Sequence, residues 1–209
     1  MNIAEKTLQL KQDFDDVYEA GKELGKKSQY DEFWDAYQNN GERKNYNYAF
    51  QSLCWTDETY NPKYPIVASS ATNIFVSNTN ITDTKVPIDL RGCRINNTFS
   101  YSGLVTIREI IVDESTRISE PPNGFSGLYN LVNIKFTGIW SCGNIPEFAY
   151  SHYLSKESIT SIVNALCPNA SGYTVTFSKR AKEAAFTENE WSALIATKPN
   201  WTFSLYSQG

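Results

Sequence analysis

The sequence lacks most of what builds a conventional catalytic or metal site. Histidine occurs once, as His152, and the four cysteines at 54, 93, 142 and 167 form no Cys-x-x-Cys pair. Closely spaced Cys and His ligands are therefore missing, and neither a zinc centre nor any other metal is expected. A glycine-rich phosphate loop is missing too, because Gly124 and Gly127 in NGFSGL lack the lysine and spacing it needs. No cofactor is expected. Basic charge is not in excess: 19 Lys and Arg face 23 Asp and Glu, for a formal net charge of −4. That balance argues against a phosphate-tracking surface, so no nucleic-acid partner is expected. Arg91 and Arg94 around Gly92-Cys93, and Lys179-Arg180-Lys182, read as surface charge. No apolar run reaches the ~18 residues of a membrane-spanning helix. The opening MNIAEKTLQLKQDFDD is acidic and polar, unlike a secretory leader. It predicts cytoplasmic synthesis, with persistence there or release by lysis, and reduced, buried thiols.

Aromatic residues are plentiful: 14% of the chain, with 13 Tyr and 11 Phe. Large rings can fill a thin, elongated core. The phenylalanines also recur. Phe50, Phe75, Phe99, Phe125 and Phe148 lie at intervals of 25, 24, 26 and 23. They sit in NYAFQSLCW, TNIFVSNTNIT, NNTFSYSGLVTI, PNGFSGLYNLVNI and IPEFAYSHYLS, where a small or polar lead precedes each Phe. In the last four, Ile81, Leu104, Leu131 or Leu154 follows five or six positions on. Aliphatic segments come next in the middle repeats: 86–88, 107–112 and 134–136. A period near 25 with one strand per period predicts a leucine-rich-repeat-like solenoid of parallel strands. Each Phe would lie inside a coil, and like residues would stack at about 4.8 Å. Of the adjacent Ile110, Ile111 and Val112, not all can face one interior. Cys93 and Cys142 each lie six before a Phe, with Ser119 six before Phe125 between them. These small residues would share an interior column. Two coils would separate the cysteines by roughly 10 Å, beyond disulfide reach.

Both flanks differ from the repeats. Residues 2–39 read as helix. Ile3, Thr7, Leu10, Phe14, Val17, Gly21 and Leu24 alternate steps of four and three, a heptad register. Two outcomes fit: a helix packed on its own domain, or a coiled coil making a homo-oligomer through residues 3–24. Tyr30, Phe33, Trp34 and Tyr37 form an aromatic stripe that must be buried, and Asn39-Asn40-Gly41 should stop the helix. After the repeats, Ser155 can N-cap a helix over 156–166 with Ile159, Ile162, Val163 and Leu166 on one face. A strand over 173–177, a helical turn in KRAKEAAF opened by Ser178, a capping box at Thr187 to Glu190 and a last strand over 201–205 follow. The expected fold class is thus α/β: a helical segment over 1–41, a leucine-rich-repeat-like solenoid over 42–154, and an α+β C-terminal cap over 155–209.

The repeats resemble the irregular BspA-type leucine-rich repeats of gut and oral bacteria. The block YDEFWDAYQNNGERKNYNYAF continuing to WTDETYNPKYPI, and the ending LSKESITSIVNAL through TVTFSKRAKEAAFTENEWSALIATKPNWTFSL, resemble repeat proteins encoded by prophages of gut Firmicutes. The resemblance implies a right-handed solenoid used for binding or carried on a virion, with no catalytic residues to transfer.

Three functions follow as expectations. The leading one is a non-enzymatic protein-interaction or structural module, tail- or virion-associated. The alternative is a bacterial surface or glycan-binding protein. The third is a hydrolase acting through Asp113 or Glu114 with a second acid across a groove. His152 would need a nucleophile, with Ser151 or Cys142 nearest in sequence; sequence neighbours rarely make such a pair, so a packing role is expected. Asp31, Glu32 and Asp35 read as solvated charges. Tyr46, Tyr48, Tyr60, Tyr64, Tyr101, Tyr129, Tyr150 and Tyr153 either form a Tyr/Asn/Ser binding surface or cover the thin core with only the hydroxyl wet. No residue is singled out as catalytic, cofactor-binding or metal-ligating, and ligand-binding residues are left open.

Overall fold

A computed structural model of the chain describes residues 41–51, 55–96, 98–99, 102–118, 125, 127–140 and 147–207, together with Gln12 and Asp16. The expected coiled coil over 3–24, the aromatic stripe of Tyr30, Phe33, Trp34 and Tyr37, and Asp31, Glu32 and Asp35 lie outside those residues.

The fold is mixed α/β, and all its described strand pairs are parallel. Seven strands form one sheet: β1 (Lys44–Asn45), β2 (Ile66–Thr72), β3 (Ile88–Asp89), β4 (Arg94–Asn96), β5 (Thr106–Ile111), β6 (Arg117–Ile118) and β7 (Asn133–Thr137). Their order is β6-β4-β2-β3-β5-β7, with β1 also on β2. The second sheet has β8 (Glu147–Phe148), β9 (Tyr173–Ser178) and β10 (Trp201–Tyr206) in the order β10-β9-β8. The helices are α1 (Lys156–Ala165), α2 (Lys179–Ala185) and α3 (Glu188–Ile195).

Register puts like residues beside one another. Ile66 pairs with Ile88, Ile88 with Ile110, and Ile110 with Phe136. The pairing of β5 with β7 shifts between Ile107 and Ile110, so both isoleucines are buried although they stand three apart. Ile110 and Val112 point inward and Ile111 is half-buried, as strand alternation requires.

The five phenylalanines aligned in the sequence are buried and touch in order. Centroid distances are 5.2 Å for Phe50–Phe75, 5.8 Å for Phe75–Phe99, 5.2 Å for Phe99–Phe125 and 5.2 Å for Phe125–Phe148. Phe177 on β9 adds a further stacked ring, 6.1 Å from Phe148. The ring stack therefore continues past the boundary expected at residue 154. Ile81, Leu104, Leu131 and Leu154 are buried beside it.

Polar groups tie together segments that are distant in sequence. Asn78, fully buried, donates from Nδ2 to the Phe50 carbonyl at 2.9 Å and accepts at Oδ1 from the Asn80 and Ile81 amides. Cys93 Sγ donates to the Ala68 carbonyl at 2.9 Å, and Thr116 Oγ1 to the Leu90 carbonyl at 3.0 Å. At Gly103 the backbones come so close that a Cβ would lie 2.4 Å from the Thr79 oxygen. On the outer face, Arg108 pairs with Asp83 and Lys135 with Glu109.

Two cysteine expectations change. Arg94 pairs with Arg117, so Thr116, not Ser119, stands level with Cys93. The extra residues before Phe125 fall after β6, where counting back from the ring cannot see them. Cys93 is free and buried, but Cys167 is disulfide-bonded, its partner lying outside the described residues. Column spacing constrained only Cys93 and Cys142; Cys167 sits in the loop after α1, which that spacing does not reach.

Local chemistry explains the C-terminal elements. Ser155 caps α1, whose Ile159, Ile162 and Val163 face the core. Lys198 Nζ donates to the Leu166 and Asn164 carbonyls at that helix's other end, at 2.5 and 3.0 Å. Ser178 caps α2, and Thr187 with Glu190 forms a reciprocal capping box on α3.

Candidate ligand-binding cleft at the strand ends

Because β8, β9 and β10 are parallel, their carboxyl ends lie at one side of the sheet. Open parallel sheets bind ligands at that side, where loops diverge from the strand ends. Here a cleft of about 490 Å³ opens. His152 enters it from the loop after β8, and Ser178 from the last residue of β9. Lys179, Arg180 and Glu183 come from α2, and Tyr206 and Ser207 from the end of β10. Its volume lies in the roughly 300–1,000 Å³ typical of ligand pockets.

Tyrosines flank the cleft. Tyr150 lies 5.6 Å from Tyr129 and 5.2 Å from Tyr206, centroid to centroid. A hydrogen bond with Tyr206, aided by that neighbour's charge, pushes the Tyr150 hydroxyl above its ordinary pKa. Tyr129 is 43% exposed and Tyr206 37%. On the other flank the Arg180 guanidinium lies 4.8 Å from the ring centre of Tyr153, itself half exposed. Such a stack pre-orders a side chain that would otherwise lose much freedom on binding.

Inside, His152 Nδ1 is 2.9 Å from Ser178 Oγ. This is a serine–histidine pair, but its environment is not that of a nucleophile. Ser178 is 1% exposed, and its oxygen also accepts the Ala181 amide at the start of α2. His152 Nε2 is buried without a hydrogen-bond partner, so no carboxylate orients the ring. The pair locks the loop after β8 to the β9–α2 junction.

The sequence candidates are dispersed. His152 finds Ser178, 26 residues downstream, and not its neighbour Ser151, which is buried with an unpartnered oxygen. Cys142 and Tyr101 lie outside the described residues. Asp113 accepts from the Ser115, Thr116 and Gly92 amides and from the Ser115 hydroxyl. Burial alone would raise its pKa; those hydrogen bonds outweigh it and hold the carboxyl low, as a turn-closing group. Tyr46 and Tyr60 belong to the core, whereas Tyr48, Tyr64, Tyr129 and Tyr153 are exposed. Lys179 and Arg180, taken from sequence as surface charge, line the cleft, while Lys182 is buried and pairs with Glu188. Ser178 and Tyr206 escaped notice as site residues. Their signal was their place at the ends of two strands, legible only once both strands are known to be parallel.

Among the described residues, no group of three His, Cys, Asp or Glu stands together as a metal-ligand set. Among them, too, no helix is long and apolar enough to cross a membrane. Fold and cleft define a mixed α/β protein of parallel strands with an aromatic-flanked cleft at the strand ends. No family model, no curated protein and no solved structure matches the chain.

Proposed function

We propose that the chain is a non-enzymatic binding module that engages its ligand at the cleft after β8, β9 and β10. The observation that carries this is the convergence of Tyr206, Arg180 and His152 on one cleft, with Tyr150 and Tyr129 continuing the rings outward. Aromatic rings and arginine supply large contact area and directed hydrogen bonds at low entropic cost. The scaffold is a short leucine-rich-repeat-like solenoid, its parallel ladders being successive coils. That reading is supported by strand partners 22 to 27 residues apart in the large sheet, by the ring stack and by the Asn78 bridge to Phe50. The buried Ser178 and the turn-bound Asp113 support the non-enzymatic reading.

A protein ligand and a glycan ligand both suit tyrosine. The small size of the open cleft favours a glycan, since a stable protein interface needs about 800 Å² from each partner. Attachment to a virion rests on the resemblance to prophage repeat proteins, and mass spectrometry of induced particles tests it: the chain should copurify with them.

An array of peptides and oligosaccharides, probed with the full chain, tests the binding reading. Signal should fall in Tyr150→Ala and Tyr206→Ala. Unchanged signal in both variants, or ester hydrolysis abolished by Ser178→Ala, overturns it.

A further inference from the structure

We infer that this cleft takes an acidic sugar, a pyranose bearing a carboxylate, presented by a longer polysaccharide. The inference rests on the binding-module proposal and names its ligand class. The charges in the cleft decide the sign. Among the described residues Glu183 is the one carboxylate lining it, and it stands 3.7 Å from Lys179 as an i,i+4 pair. That leaves Arg180 without an ion-pair partner among the described residues, with its guanidinium over Tyr153. The chain as a whole carries −4, so an anion would be drawn here by this local group and not by the overall field.

The remaining groups match a sugar. A guanidinium offers a planar fork of donors that fits a carboxylate in two-point fashion. Tyr206 offers an exposed ring against which the C–H face of a pyranose can pack. Ser207 contributes an exposed hydroxyl, and His152 walls the end where the buried Ser178 holds it. The rings of Tyr150 and Tyr129 extend the aromatic surface away from the cleft, along the path a polymer would follow.

Calorimetry on the full chain tests this with trigalacturonate, its fully methyl-esterified counterpart and an oligoglutamate of equal charge. The esterified trimer keeps the shape and removes the charge; the oligoglutamate keeps the charge and removes the sugar. The acid should bind at least about tenfold tighter than the ester, the size of one charged hydrogen-bonding contact. Arg180→Ala should reduce the acid to the level of the ester, and Arg180→Lys should restore part of the difference. Tyr206→Ala should weaken both sugars. Arg180 is exposed, so its variants should keep the wild-type circular dichroism spectrum.

Equal affinity for acid and ester overturns the acidic-sugar inference while leaving the cleft as a binding site. Oligoglutamate binding as tight as trigalacturonate, or no binding of either sugar, overturns it as well. Sugar binding that Tyr206→Ala and Arg180→Ala leave untouched places the ligand elsewhere, and the binding-face proposal falls with the inference.

Discussion

The Ser161 hydroxyl receives the Phe136 amide at 2.7 Å, and three residues earlier the Ser158 hydroxyl receives the Ile134 amide at 2.9 Å. Ser158 also donates to the Val132 carbonyl at 3.0 Å. Two serines one turn apart on α1 thus stand where a neighbouring strand would be, along the last strand of the large sheet. An open edge of parallel strand is a template for association. Ser158→Ala and Ser161→Ala should each cost about 1–3 kcal/mol, because a buried amide loses its acceptor. Urea unfolding checks the loss. Light scattering of the double variant should show growth with concentration that the wild type lacks; a monodisperse double variant contradicts the edge-cap account.

Asn78 presents a different kind of tie. Its amide joins the Phe50 carbonyl, 28 residues back, to the nearby Asn80 and Ile81 amides. Asn78→Ala should strand these groups and cost roughly 2–4 kcal/mol, counted as more than one lost buried bond. Thr79, which is exposed, provides the control, and Thr79→Ala should fall within about 0.5 kcal/mol of wild type. Equal midpoints for the two variants in urea would show that Asn78 is not a bridge between these segments.

Gly138 should tolerate no side chain. It follows β7 with φ +98°, and a Cβ there would lie 1.9 Å from the Val112 carbonyl oxygen. Gly138→Ala combines left-handed strain with a backbone clash, so roughly 2–5 kcal/mol should be lost. Gly172 has φ +77° but open space around it. Gly172→Ala should therefore cost only the strain, about 1–2 kcal/mol. Thermal melts that rank the two variants in the reverse order would refute the close approach.

The legible and illegible parts of the fold divide by physical range. Phe50 to Phe148 could be aligned because stacked rings must recur at equivalent positions. The caps at Ser155, Ser178 and Thr187 could be found because a cap acts within three residues. Phe177 was hidden because its interval of 29 from Phe148 is longer than the rest, with α1 inserted between them. The cleft was hidden for a related reason. His152, Ser178 and Tyr206 are 26 and 28 residues apart, and only the parallel order of β8, β9 and β10 brings their strand ends together. The Cys167 disulfide left no local spacing to recognise.

Stability should fall on acidification through carboxylates that the fold holds ionised. Glu190 is bound by Lys156 Nζ at 2.6 Å and by the Thr187 amide and hydroxyl, each at 2.9 Å. Chiefly through the Lys156 hydrogen bond, its pKa drops from the ordinary 4.5 to about 2. Asp89 is lowered as well: burial opposes ionisation, but hydrogen bonds from Arg91 and the charges of Arg91 and Arg43 prevail. Glu109 is lowered by the Thr137 and Lys135 hydrogen bonds. A depressed folded pKa means that the unfolded chain takes up the proton first. The stabilisation is therefore present above the ordinary carboxylate range and is lost as pH falls through the folded values. For Glu190 that window runs from about 4.5 down to about 2. Urea midpoints measured across it should decline steadily in the wild type. In Glu190→Gln the decline should be shallower, with a lower midpoint at neutral pH, because the amide keeps the capping geometry but loses the ion pair with Lys156. An unchanged slope in that variant would mean that Glu190 titrates in the folded chain as it does in the unfolded one, and that the Lys156 contact is not formed in solution.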